Sequence, residues 1–470
     1  MSISIREISQ RLTPKGMKVT VMGMAVSGIA AANLLSSLGA EVLISERRSR
    51  VELTEALRQL MPSVRVEVGR HSRNEFLEAD LVVVSPGVLW SHSLLREARS
   101  AGVQVISEME LAYRLAPYPI IAITGTNGKT TTTSLIGAIL RQGGKKITVA
   151  GNIGYPLSKA LLETTEPLDY LVAEVSSFQL EGAEEFHPCI ALILNLTPDH
   201  LDRHENMEKY ARLKQRIYGR QGIGDQLILN WDDPHVRHWG TGNKMERLAF
   251  SRKKEVDSGV FLRGEAMVFR RTGKEEELAT LEDLRLTGIH NQENALAAAA
   301  VGALCEVEAS DIRTALSAFH GLEHRTEPVR ELEGVCFIND SKATNPGAVL
   351  RVLEGMEKPV ILLAGGRAKN GDFSSLRETI RKKAKALVLF GEAQGLLKSS
   401  LSGTVPIWET KDLEEAVRKA WFLARDGDVV LLSPACASFD LFIDYIERGR
   451  CFKEIVKELA ISTLEPSRSS

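Results

Sequence analysis

Cysteine is scarce in this chain. Cys189, Cys305, Cys336, Cys436 and Cys451 stand far apart, and no C-x-x-C pair occurs. An odd number of cysteines at such spacing argues against a disulfide framework or a thiolate zinc ribbon and fits reduced thiols in a cytoplasmic protein. Long apolar runs are missing too: none approaches the roughly 18 residues that a membrane-spanning helix needs. The N-terminus, MSISIREISQRLTPKGMK, has no apolar core of signal-peptide length. Neither sign of charge is in excess, since 59 Lys+Arg against 61 Asp+Glu leave a formal net charge of −2. Such a chain has no global pull toward nucleic acid or an anionic membrane, although a local basic pocket for a phosphorylated small molecule is compatible with it. Heptads, short repeats and low-complexity tracts are absent as well. What remains is 44% hydrophobic and 26% charged, the balance of a globular enzyme, and 470 residues leave room for several domains.

Strand and helix signals alternate along the whole chain. Short apolar runs at residues 17–22 (MKVTVM), 40–45 (AEVLIS), 81–85 (LVVVS) and 104–106 read as strands, with helical spacing over 30–38. Pro117 and Pro119 interrupt the periodicity. A second unit then opens on the strand at 120–124 (IIAIT), with buried-type strands at 170–174 and 190–195. Residues 252–282 are highly charged and read as exposed hairpins or loops. An alanine-rich helix follows over 294–304. The third unit has strands at 335–339, 360–364, 386–390 and 429–433, and the last residues, 465–470, read as a frayed polar end. Strands separated by helices imply parallel, helix-covered sheets. The boundaries fall at 1–116, 117–321 and 322–470.

The strongest motif is Thr124-Gly125-Thr126-Asn127-Gly128-Lys129-Thr130-Thr131, placed after a strand and before a helix. That is the context of a phosphate-binding loop. Gly125 and Gly128 let backbone N–H groups converge on phosphate oxygens, and the helix N-terminus adds a favourable dipole. Lys129 can reach the outer phosphates, and the Thr130 hydroxyl can ligate Mg²⁺. The spacing departs from G-x-x-x-x-G-K-[ST], because position 123 is Ile.

Other polar clusters end apolar strands, where α/β sheets place their ligands. Gly151-Asn152-Ile153-Gly154 is a tight turn. Glu174 closes a strand and can hold a hard cation or be a solvated strand end. His200 lies in Asn195-Leu196-Thr197-Pro198-Asp199-His200, where a metal ligand and a structural imidazole are both open readings. Asn291 and Asn294, in His290-Asn291-Gln292-Glu293-Asn294, share a helix face. They read either as contacts to a base or ribose or as helix caps. Lys214, on a helical stretch, reads on its own as a surface lysine. In the first unit, Gly23-Met24-Ala25-Val26-Ser27-Gly28 is G-x-x-x-x-G, a weak dinucleotide signal because position 25 is Ala.

Taken in order, the segments at 125–130, 151–154, 174–180, 199–204 and 290–294, His324-Arg325, and NDSKATN at 339–345 resemble the Mur ligases over essentially the whole chain. The resemblance implies three α/β domains: a Rossmann-like N-terminal domain, a central P-loop ATPase-like domain with a mainly parallel sheet, and a Rossmann-like C-terminal domain. It implies an ATP-dependent, amide-bond-forming ligase of cytoplasmic peptidoglycan precursor synthesis. A monomer is the default expectation, because three domains can bury their own cores. Ser433-Pro434-Ala435-Cys436-Ala437-Ser438-Phe439-Asp440 and Gly365-Gly366-Arg367-Ala368-Lys369 look most like the members that add D-glutamate to UDP-N-acetylmuramoyl-L-alanine.

Carried onto this sequence, the resemblance assigns ATP to Gly125, Thr126, Asn127, Gly128, Lys129, Thr130, Thr131, Asn291, Arg325 and Asp340. Two Mg²⁺ sites would use Thr130 and Glu174, and His200 with a carbamylated Lys214. Catalysis would rest on Lys129, His200 and Lys214. The UDP substrate would meet Ser27, Glu46, Arg47, Arg48, Ser85 and Asn152, although Glu46-Arg47-Arg48 departs from the Asp-Thr-Arg common in these enzymes. D-glutamate would lie among Lys342, Thr344, Lys369, Ser438 and Phe439, with the third domain closing over its ligands. Competing readings are another Mur-type or folylpolyglutamate-type ligase, a nicotinamide-dependent oxidoreductase built on the first unit, and a non-catalytic nucleotide switch.

Overall fold

The computed structural model describes residues 12–286, 288–368 and 372–459. Lys369, the polar end at 465–470 and the N-terminal stretch through residue 11 lie outside the described residues. By residue contacts the chain divides into two compact units. One comprises the chain up to Leu196, Glu208–Arg285 and Glu293–Phe319; the other comprises Thr197–Met207, Leu286–Gln292 and the chain from His320 onward.

The first unit holds two sheets. In the first, β1 (Lys18–Met22), β2 (Glu41–Glu46), β3 (Arg65–Val68), β4 (Leu81–Val84) and β5 (Gln104–Ser107) are all parallel, in the order β3-β2-β1-β4-β5. Apolar side chains cluster on both faces of this sheet, so its central strands read as unbroken apolar runs. The turn after β1 needs its glycines. Gly23 has φ 98°, and a Cβ on Gly28 would stand 1.9 Å from the Gly23 carbonyl oxygen.

The second sheet contains β6 (Ile120–Thr124), β7 (Ile147–Gly151), β8 (Tyr170–Glu174), β9 (Ile190–Ile193), β10 (Gln226–Asn230), β11 (Glu246–Ser251), β12 (Gly259–Arg263), β13 (Ala266–Arg271) and β14 (Lys274–Thr280). Their order is β14-β13-β12-β11-β10-β9-β6-β8-β7. Strand β6 thus lies between β8 and β9, and the chain segments leaving these three strands emerge side by side at one sheet edge. The charged stretch at 252–282 does form hairpins, as expected, but they are not wholly exposed. It supplies β12, β13 and β14, an antiparallel extension in which Val260, Phe261, Met267, Val268, Leu278 and Ala279 are buried. The buried residues are adjacent pairs that enter apolar clusters on both faces, and the charges gather at the strand ends and turns, which a composition-based reading cannot separate from loop.

The helix Glu108–Leu115 joins the two sheets and is buried along its whole length. Glu110 accepts hydrogen bonds from the backbone N–H groups of Glu184, Glu185 and Phe186, each at 3.0 Å, and pairs with Arg114 at 2.8 Å.

The second unit is built on one sheet of β15 (Glu327–Leu332), β16 (Val335–Asn339), β17 (Val360–Gly365), β18 (Ala384–Phe390), β19 (Ile407–Glu409) and β20 (Val429–Ala435), ordered β15-β16-β20-β17-β18-β19. Only β15 and β16 pair antiparallel. The segments following β16, β20 and β17 are therefore neighbours, and apolar clusters cover both sheet faces. Strands β3, β11, β15 and β19 are short and mixed in polarity and carry no periodic signal of their own.

Candidate functional site

In the first unit the chain leaves β6 through the phosphate-type loop and enters the helix Lys129–Gln142. Gly125 has φ 157° and Gly128 has φ 83°, and the latter occupies the N-cap. A Cβ on Gly128 would lie 2.5 Å from Oδ1 of Asn294. The loop is braced by two asparagines. Oδ1 of Asn195 accepts from the N–H groups of Thr126 at 3.2 Å and Asn127 at 2.9 Å, while its Nδ2 donates to the Asn127 carbonyl at 3.0 Å. Oδ1 of Asn294 accepts from the Thr132 hydroxyl at 3.1 Å. Asn294 thus holds the first turns of the helix that follows the loop. Asn195 was not among the expected site residues, and its only signal is an amide directly after a buried strand.

Two ammonium groups converge on the same loop. Lys129 Nζ donates to the carbonyls of Gly125 at 2.9 Å and Thr126 at 2.8 Å. Lys214 Nζ donates to the Gly125 carbonyl at 2.8 Å and stands 4.7 Å from the Tyr210 ring centroid. Lys214 is not a surface lysine: its helix, Met207–Gln215, turns it inward, and it is 1% exposed. The Tyr210 hydroxyl lies 3.3 Å from that of Thr126. Thr130 is half-buried on the first turn, and Thr131 is buried.

At the end of β8, Glu174 is 1% exposed. Its Oε1 accepts from Asn152 Nδ2 at 2.8 Å, and its Oε2 is buried without a hydrogen-bond partner among the described residues. An orphaned carboxylate oxygen of this kind suits a hard cation. A Cβ on Gly151 would approach the Glu174 carbonyl oxygen to 2.2 Å, so the close crossing of these segments requires glycine. Among the described residues, no three His, Cys, Asp or Glu side chains gather into a metal-binding group.

At the edge of the first sheet, Glu46 accepts from Met24 N–H at 2.9 Å and from Arg48 at 3.0 Å. Burial alone would raise its pKa, but these hydrogen bonds outweigh it and hold the carboxyl at about 2. Ser27 is half-buried and Arg47 is exposed. Ser85 is buried, with its hydroxyl unpartnered among the described residues.

The second unit carries the remaining expected residues. His200 has φ 54°, and its ring Nε2 stands 3.6 Å from Asp199, which accepts from the His200 backbone N–H and from Asn345 Nδ2, each at 3.0 Å. Asn291 is buried on the helix Ile289–Leu304. His290 beside it is pushed down to about 4, first by burial and then by the Arg351 and Arg325 cations. Asp340 is buried and accepts from the Ser433 hydroxyl at 2.8 Å and from Thr326 N–H at 3.2 Å. Burial pushes its pKa up to about 7 against these hydrogen bonds. Thr344 is half-buried, Ser438 is buried, and Phe439 is exposed. The aromatic side chain that meets Lys342 is Tyr445, whose ring centroid lies 3.7 Å from Nζ. Neither Tyr445 nor the buried Arg448 one turn on was among the expected site residues.

Three family models match the chain: a Mur ligase MurD-like N-terminal domain over residues 17–107, a Mur ligase middle domain over 123–302, and a Mur ligase glutamate ligase domain over 324–436. The chain is 45% identical over 453 residues to the UDP-N-acetylmuramoylalanine–D-glutamate ligase of Caldanaerobacter subterraneus, covering 95% of this chain and 99% of that protein. The chain belongs to the Mur ligase family.

A relative of the same description from Koribacter versatilis is 44% identical over 448 residues, covering 95% of this Mur ligase and 98% of the relative. Among solved structures, a pseudomurein peptide ligase type C from Methanothermus fervidus matches with TM-score 0.60 and 18% identity, covering 95% of this chain and 100% of that one. The UDP-N-acetylmuramate–alanine ligase of Thermotoga maritima matches with TM-score 0.59 and 21% identity, covering 94% and 99%. At such identities these structures speak for the shared fold. Among the described residues no helix of this Mur ligase is long and apolar enough to cross a membrane.

Proposed function

We propose that this Mur ligase joins D-glutamate to UDP-N-acetylmuramoyl-L-alanine, using ATP and releasing ADP and phosphate. An amide does not form spontaneously from a carboxylate and an ammonium group in water, so the carboxylate must be activated. The γ-phosphoryl group passes from ATP to an oxygen of the alanyl carboxylate, giving an acyl phosphate and ADP. The D-glutamate amine then attacks the acyl carbon. The tetrahedral adduct expels phosphate and loses a proton, leaving the amide. No protein nucleophile is needed.

The observation that carries this reading is the loop after β6, with Gly128 at a helix N-cap and Lys129 and buried Lys214 on one carbonyl. Backbone N–H groups and Lys129 bind and orient the phosphates and offset charge as it moves onto the phosphoryl oxygens. Asn291, Arg325 and Asp340 are assigned to the nucleoside and phosphates, and Ser27, Glu46, Arg47, Arg48, Ser85 and Asn152 to the UDP substrate. Lys342, Thr344, Lys369, Ser438 and Phe439 are assigned to D-glutamate, whose two carboxylates suit cations and hydroxyls. Thr130 and Glu174 would hold one Mg²⁺, and His200 with Lys214 as an anionic carbamate a second, supplying charge neutralisation at the phosphates. The setting is cytoplasmic and the enzyme a monomer.

The test is ADP release by the purified chain with ATP, UDP-N-acetylmuramoyl-L-alanine and each member of an amino-acid panel. Release that requires all three components and favours D-glutamate is expected. A preference for another amino acid, or release without an acceptor, would overturn the assignment.

A further inference from the structure

Arg448 is fully buried at the start of the helix Tyr445–Glu458, and among the described residues no carboxylate pairs with it. Its guanidinium instead faces three chain segments far apart in sequence. Nε donates to the Ser341 hydroxyl at 3.0 Å, and one NH₂ group donates to the Ser341 carbonyl at 2.8 Å. The other NH₂ group donates to the carbonyls of Cys436 at 3.1 Å and Gly365 at 3.4 Å. Burial lowers its pKa to about 10, which still leaves it cationic at neutral pH.

A buried cation with no carboxylate in direct contact, only the more distant Asp440 and Asp340, is costly, so its retention calls for a reason. The reason is geometric. A planar fork of five donors can satisfy oxygens arriving from several directions, which Lys cannot do. The segments it joins follow the neighbouring strands β16, β17 and β20. They are also joined directly: Arg367 and Ala437 exchange backbone hydrogen bonds at 2.8 and 2.9 Å. Space is tight, since a Cβ on Gly366 would lie 2.1 Å from the Ala437 carbonyl oxygen and 3.1 Å from an Arg448 nitrogen. Asp440 ties in a fourth segment by accepting from Glu392 N–H at 2.9 Å.

We infer that Arg448 is a positioning residue for the amino-acid substrate: it sets the mutual placement of the Ser341, Gly365 and Cys436 segments, whose next residues include Lys342, Thr344 and Ser438. The inference rests on the proposed function, which assigns those three side chains to the incoming amino acid.

Two measurements on Arg448→Lys and on the milder Ser341→Ala test it. In amide hydrogen exchange, Arg448→Lys is expected to speed exchange at 340–345, 365–368 and 436–440 together while the interiors of β17 and β18 stay protected. In steady-state kinetics the KM for D-glutamate is expected to rise about tenfold in Arg448→Lys and about threefold in Ser341→Ala, with the KM for ATP nearly unchanged. Exchange that rises uniformly through the third sheet, or in one segment alone, would overturn the inference. So would an unchanged KM for D-glutamate, or equal rises in both KM values. The exchange pattern needs no substrate. If the wild-type chain fails with D-glutamate, the functional reading falls while the exchange result still decides the role of Arg448.

Discussion

The loop after β6 and the segments after β16, β17 and β20 are held in opposite ways. Neutral amides brace the first: Asn195 and Asn294 take the loop's N–H and hydroxyl groups, and the ammonium groups of Lys129 and Lys214 lie on its carbonyls. A guanidinium braces the second, with three carbonyl acceptors and no paired carboxylate among the described residues. In the phosphate loop the neutral amides take N–H groups and the ammonium groups take carbonyls, so the two kinds of brace share the backbone. The segments assigned to a diacid amino acid are knit by one guanidinium that takes carbonyls from all three. The same need for rigid placement is thus met by amides together with ammonium groups in one sheet and by a single planar cation in the other.

The largest effect is expected from Lys129→Ala, which removes a cation from the phosphate side. Turnover measured by ADP release should fall by a factor of about 10² to 10³ or more. Unchanged turnover would remove the phosphate loop from the comparison altogether.

Next comes the contrast between braces, read by denaturant unfolding. Arg448→Met removes the donor that three buried carbonyls share and should cost about 3–5 kcal/mol in the second unit. Asn195→Ala should cost about 1–3 kcal/mol in the first. Equal losses would mean that the charged brace holds no more structure than the neutral one.

The smallest effect concerns Asp340, whose carboxyl is raised by burial from its ordinary 3.8 to about 7. Between about pH 4 and pH 7 the folded chain keeps this proton while the unfolded chain releases it. This group therefore makes the second unit less stable as pH rises through that window. Asp340→Asn should flatten the slope between about pH 4 and pH 7. An unaltered slope would show that Asp340 does not sense its burial.

Local patterns carried much of this in the linear sequence. The strand, the glycines at 125 and 128, Lys129 and the following helix are contiguous, so the phosphate loop is legible without a fold. Apolar runs alternating with helices likewise dictate parallel sheets, because each such run must be covered on both faces. The hairpins of the charged stretch at 252–282 were legible but their burial was not, because the covering of adjacent residues on β12, β13 and β14 depends on neighbouring strands and helices. Lys214 misled for a related reason: its partner Gly125 is 89 residues away, and only the packing of its helix shows that the lysine is buried. The bond from Asn195 to Asn127 spans 68 residues, and that from Arg448 to Ser341 spans 107.

What the sequence determined by itself was the class of most elements and the place of the phosphate loop, since both follow from near-neighbour spacing and backbone preference. What only the tertiary structure decided was which polar side chains brace those loops. That choice depends on strand order, β6 between β8 and β9 and β20 between β16 and β17, which brings distant segments within hydrogen-bond reach.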